Sequence, residues 1–204
     1  MVPFSYLTIQ APVQGIYKEK GSKFLAFASP VGSEEEVKNN LKALKKEYFD
    51  ARHHGYAYVL GPGKEKYRAF DDGEPNHSTG DPILGQIRSK NLTNVLVVVV
   101  RYFGGVKLGV GGLIAAYKTA AEEALNKAAI IELEVTSELE LLFEYEATSD
   151  VMRAIKEFDA VIIKQDFIDG CRMVLSVKLR HRVGFVDKIS LLKAVGVKVA
   201  FAEL

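Results

Sequence analysis

The chain has 204 residues, 48% of them hydrophobic and 26% charged, with a formal net charge of +1. That composition excludes disordered and collagenous classes and leaves room for one large or two small cores. The single cysteine, Cys171, excludes an intrachain disulfide framework and fits a reducing cytoplasm.

The opening MVPFSYLTIQAPVQG lacks a basic stretch followed by an apolar run, so no signal peptide is expected. Val13 to Pro30 reads as two strands around the turn Glu19-Lys20-Gly21-Ser22. Ser33 and Glu36 have the spacing of a capping box, and Val37, Leu41, Leu44 and Tyr48 follow on one helical face. His54 to Leu60 alternates as a strand, Gly61-Pro62-Gly63 ends it, and Tyr67 to Phe70 is its candidate hairpin partner. Asp71 to Gly80 has loop composition. Asp81 and Pro82 read as the cap and first residue of a helix carrying Ile83, Leu84 and Ile87. Val95 to Val100, an apolar run far below the roughly 20 residues that span a bilayer, is expected as a strand covered on both faces. A glycine-rich turn, Gly104 to Gly112, precedes a helix from about Leu113 to Lys127 whose alanines suit close packing on a sheet.

After Ala128 the pattern changes. Leu139, Leu141 and Phe143 mark a strand, and Thr148 reads as the cap of a helix with Val151, Ile155 and Phe158. Val161 to Ile168 and Arg172 to Arg180 read as strands around Asp169-Gly170, then a helix from Gly184 to Val195 and a last strand from Val197 to Phe201. The order βαββαβ is that of a ferredoxin-like unit, and a domain boundary is expected near Glu132. The predicted class is α+β, with domains at 1–132 and 133–204.

Charge divides unevenly. Arg52 to Lys118 carries nine basic and five acidic residues, a net of +4, which suits a polyanion partner. Unusual residues gather there in three places: Arg52-His53-His54, the acidic run Asp71-Asp72-Gly73-Glu74-Pro75, and Arg101-Tyr102-Phe103-Gly104-Gly105-Val106-Lys107 leading to Gly111-Gly112. Closely spaced glycines let a backbone approach a ligand, and the amides that open a helix attract anions. The same glycines also suit a tight turn with close helix–sheet packing. No Gly-Lys-Ser/Thr closes the segment, so it is not a Walker loop. His53, His54, Asp71, Asp72, Glu74 and His77 have metal-ligand chemistry but no recognised ligand spacing, and no metal is expected. His181, between Arg180 and Arg182, reads as part of a solvated basic turn.

The run from Asp71-Asp72-Gly73-Glu74-Pro75 through Gly80, Ile83-Leu84, Ile87, Leu92 and Val98-Val99 to Arg101-Tyr102-Phe103-Gly104-Gly105, Leu108, Gly109, Gly111-Gly112-Leu113 and Ala116-Tyr117 resembles the YigZ/IMPACT family. The resemblance covers most of residues 15 to 128, and the second domain resembles the smaller C-terminal domain of bacterial members. It implies a first domain of the second-domain type of ribosomal protein S-five, followed by a ferredoxin-like domain in the order found in the translocation elongation factor. It also implies a link to translation, since eukaryotic relatives bind the activator of the amino-acid-starvation kinase. Two positions depart from the pattern: His77-Ser78-Thr79-Gly80 stands where Gly-Thr-Ala-Gly is expected, and Gly55 stands where many members have cysteine. The second departure argues against a catalytic thiol.

The resulting expectation is a cytoplasmic, monomeric binding protein of RNA, the ribosome or a translation-regulatory protein, without cofactor, membrane anchor or catalytic residue. Arg52, His53, Arg101 and Lys107 are the expected phosphate-facing groups and Tyr102 and Phe103 the stacking groups. Gly104, Gly105, Gly111 and Gly112 shape the cradle, supported by Asp71, Asp72 and Glu74. Two alternatives stand beside it: an enzyme or nucleotide-phosphate binder using Gly104–Gly112, and a protein-interaction module.

Overall fold

Alternating apolar residues in the first half of the chain build one antiparallel sheet. The computed structural model describes residues 3–167 and 170–204. The strands are β1 (Ser5–Ile9), β2 (Val13–Glu19), β3 (Ser22–Pro30), β4 (His53–Leu60), β5 (Lys66–Phe70), β6 (Val95–Tyr102) and β7 (Ile130–Glu134), interleaved with helices α1 (Glu34–Glu47), α2 (Gly80–Ser89) and α3 (Gly109–Asn126). The five-stranded sheet has the order β2-β3-β6-β4-β5, with β6 in the middle. The β-branched run of β6 is buried throughout, because helices cover both faces.

Alternation along β6 sorts its side chains. Val95, Val97 and Val99 face a core shared with Ile83 and Ile87 of α2 and Ala116, Tyr117, Ala120 and Ala124 of α3. Leu96, Val98 and Val100 face Val37, Leu41 and Leu44 of α1. Ser33 caps α1, its hydroxyl accepting the Glu36 amide at 3.2 Å, while Glu36 reaches back to the Gly32 amide at 2.9 Å. The reciprocal bond thus lands one residue earlier than the sequence pattern implies.

The second compact unit, Glu134–Leu204, contains β8 (Thr136–Phe143), α4 (Thr148–Glu157), β9 (Val161–Asp166), β10 (Cys171–Lys178), α5 (Leu179–Ala194) and β11 (Val199–Glu203). Its sheet is antiparallel, in the order β11-β8-β10-β9, the ferredoxin-like arrangement. Leu139, Leu141, Met173, Leu175, Val151, Ile155, Phe185 and Ile189 form its core.

Several local expectations are corrected. Asp81 does not cap α2. The Asp71 carboxylate does so from a distance, accepting the Thr79 and Gly80 amides through Oδ1, each at 2.9 Å. Thr148 does not cap α4 either; it lies within the helix and its hydroxyl donates to the Tyr145 carbonyl at 2.6 Å. α5 begins at Leu179, so His181 is helical, and Arg180 and Arg182 pair with Glu134 and Glu203. The strands β1 and β7, unread in the sequence, form a separate two-stranded sheet. Ile168 and Asp169, part of the expected turn between β9 and β10, lie outside the described residues.

Candidate functional site

Register places three residues in a row across the first unit's sheet. Phe24 of β3 and His53 of β4 both pair with Arg101 of β6, so all three side chains share the face covered by α3. Arg101 is only 6% exposed. Its guanidinium lies 5.5 Å from the Phe24 ring centre and 5.6 Å from that of Phe103. A charge so enclosed needs a partner, and Glu74 supplies it: Arg101 Nη1 donates to Glu74 Oε1 at 2.6 Å. The Tyr117 hydroxyl donates to the same oxygen at 2.9 Å. Burial, and then the Glu74 charge, push the Tyr117 phenol well above its ordinary value, so it remains a donor.

The acidic run is scaffolding for this pair. Asp71 holds the loop through the His77, Thr79 and Gly80 amides. Asp72 Oδ2 accepts the His54 amide at 2.7 Å, and the Asp72 carbonyl bonds His53 Nδ1 at 3.0 Å. His77 bonds Asp81 on the surface. Among the described residues no group of three or more His, Cys, Asp or Glu side chains gathers as a metal site.

Above the pair opens a cleft of about 440 Å³ lined by Arg52, His53, Glu74, Pro75, Arg101, Phe103, Lys107 and the start of α3 with Leu113 below it. The structure therefore brings Arg52, His53, Phe103 and Lys107 together. Arg101 lies in its floor with its charge already committed to Glu74, which corrects the expectation of a phosphate-facing arginine. Tyr102 is on the opposite face, where its hydroxyl donates to Asp50 at 2.7 Å, so it is no stacking group of this cleft. Phe103, 51% exposed, stays available.

The glycines divide by role. Gly104 packs on the β2–β3 turn: a Cβ there would lie 1.9 Å from the Gly21 carbonyl carbon, and its amide donates to Ser22 Oγ at 3.1 Å. Gly105 and Gly109 have φ of 86° and 71°, a left-handed backbone that other residues resist. Gly111 and Gly112 are not loop residues, because α3 starts at Gly109 rather than Leu113. Leu108 precedes the helix and offers no side-chain cap, and its first turn carries no acidic residue. An 18-residue helix thus presents uncapped amides at the cleft.

A model of the Impact N-terminal domain matches residues 20–125, just over half of the sequence. The chain belongs to the IMPACT family. It is 40% identical over 129 residues to IMPACT family member YvyE of Bacillus subtilis, covering 63% of this chain and 59% of that one, so the match spans about three fifths of that relative. It is 33% identical over 165 residues to IMPACT family member YigZ of Escherichia coli, covering 80% and 81%. A crystal structure described as that of a hypothetical protein superposes with a TM-score of 0.76 at 26% identity, covering 99% of this chain and 98% of the other. The chain has no helix, among its described residues, long and apolar enough to cross a membrane.

Behind the cleft, on the α1 face, His54 bonds the Tyr48 carbonyl through Nε2 at 3.2 Å. Burial pushes its imidazole below the ordinary value, and Asp72, with an oxygen 3.9 Å from Nδ1, offsets this only in part. The folded protein therefore holds His54 neutral while the unfolded chain protonates near about pH 6.5. This contribution to stability is present above that pH and is lost as pH falls through it toward the folded value. The His54 ring is expected to titrate below the ordinary histidine range by NMR, and titration at or above that range contradicts the assignment.

Proposed function

We propose that this protein is a binding protein rather than a catalyst, and that the cleft at the start of α3 takes single-stranded RNA in the setting of the translation apparatus. The observation that carries the reading is the convergence of Arg52, Lys107, the exposed Phe103 ring and the uncapped amides of α3 on one cleft. Phosphate neutralisation supplies most of the affinity in such interfaces, and an aromatic face adds about 1–3 kcal/mol per stacked base. Another depression, in the second unit, is walled by Glu144, Glu146, Asp150 and Lys198. With Lys198 paired to Glu144, that lining repels phosphate.

The test is RNA binding across a salt series for Lys107→Ala and Arg52→Ala. Each is expected to weaken binding and to flatten the salt slope by about one contact, with thermal unfolding unchanged because both side chains stand on the surface. Val106, Val110 and Ile114 are exposed, and Val110 lines the cleft with Phe103, which favours a second reading in which this part of the surface docks a protein. Unchanged affinity and slope in both variants would move the assignment to that reading.

A further inference from the structure

Glu74 is out of place in a site for phosphate. It is the one carboxylate lining the cleft, and a carboxylate repels the group that Arg52 and Lys107 attract. Its ion pair with Arg101 explains only half of it. Both hydrogen bonds that hold it, from Arg101 Nη1 at 2.6 Å and the Tyr117 hydroxyl at 2.9 Å, fall on Oε1. Oε2 takes no hydrogen bond from the described residues, and it is not among the polar atoms sealed from solvent without a partner. One oxygen is held and its twin has no partner among the described residues, on a side chain that is 5% exposed and lines the cleft.

The loop that carries the carboxylate is also tied at several points. Asp71 and Asp72 pin the residues on either side of the loop, and the Glu74 amide itself donates to the Asp71 carbonyl at 3.1 Å. An unpartnered acceptor on a side chain that lines the cleft calls for a donor on the ligand. In a nucleotide whose base lies on Phe103 and whose phosphate lies at Arg52 and Lys107, the ribose is the covalent link between the two. Its 2′-hydroxyl is a donor, and it is the group that separates RNA from DNA.

We propose that Glu74 Oε2 accepts the ribose 2′-hydroxyl and that this cleft selects RNA over DNA. The inference rests on the RNA reading above. A hydrogen bond to a charged acceptor discriminates by about tenfold or more. A purely structural Glu74, serving only to neutralise Arg101, predicts no discrimination.

The experiment uses the full chain and three short fluorescent probes: oligouridine, oligodeoxyuridine and 2′-O-methyl oligouridine. The expected result is oligouridine binding about tenfold or more tighter than either of the others at one salt concentration. In a ¹³C NMR titration the Glu74 carboxyl carbon is expected to shift with oligouridine and not with oligodeoxyuridine. Folded Glu74→Gln is expected to bring the three affinities together. The ligand series and the carboxyl shift need no variant, so they decide the matter even if Glu74→Gln fails to fold. Equal affinities for the three probes, each weakened by Lys107→Ala, overturn the role of Glu74 and leave the RNA reading standing. A ratio that persists in folded Glu74→Gln also overturns that role. Failure of all three probes to bind removes both.

Discussion

Arg101→Met is expected to cost about 3–5 kcal/mol of stability, because it strands a buried carboxylate. The side chains of Arg101 and Glu74 are 7% and 5% exposed and meet at 2.6 Å. Methionine fills much of the arginine volume between Phe24 and Phe103, so the loss reports charge rather than a cavity. The Tyr117 hydroxyl remains on Glu74 Oε1, but one neutral donor cannot replace a guanidinium. The double variant Arg101→Met with Glu74→Leu removes both ions together. It is expected to recover most of the loss, since a buried pair exchanged for apolar groups is often neutral. Urea denaturation of the wild type, the two single variants and the double variant measures the coupling. A loss below about 1 kcal/mol in Arg101→Met, the range of exposed pairs, shows that water screens the site after all.

That pair also marks where reading the sequence stops. Arg101 and Glu74 were both legible as unusual residues, but they lie 27 positions apart and no local pattern joins them. The sequence placed Arg101, Tyr102 and Phe103 side by side as one recognition run. A strand sends neighbours to opposite faces, and this one sends Tyr102 to α1 and Arg101 to α3. What was legible rested on short-range signals. The β-branched run of β6 announced a doubly covered strand, the Ser33 cap announced α1, and Leu139, Leu141 and Phe143 announced the inner face of β8. The strands β1 and β7 were missed because each pairs with a segment at the far end of the unit, with no hairpin turn to signal it. The start of α3 was missed for a different reason. Glycine disfavours helix interiors, yet the first turn needs no amide partners, and Leu113, Ala116 and Tyr117 anchor the turns that follow.

The two departures from the family pattern meet in one contact. A Cβ built on Gly55 lies 1.9 Å from Thr79 Cγ2, a separation no packing allows. Gly55 belongs to β4 and Thr79 precedes α2, and both are buried. The threonine methyl group thus occupies the space that a side chain at position 55 needs, so a small residue on one side accompanies a larger one on the other. Gly55→Ala is expected to destabilise the protein by about 1–3 kcal/mol through overpacking. Thr79→Ala removes Cγ2 and leaves the nearest remaining contact at 3.2 Å, which neighbours can absorb by a small shift. Gly55→Ala made together with Thr79→Ala is therefore expected to regain most of the loss, with a coupling of about 0.5–3 kcal/mol. Gly80→Ala serves as the contrast. Its Cβ meets the Phe70 backbone nitrogen at 2.3 Å, and no side-chain change relieves a clash with backbone. Denaturation midpoints of the four variants, set against the wild type, decide the point. Equal costs for Gly55→Ala with and without Thr79→Ala show that the two positions do not compete for space, and the paired departures then have no common cause.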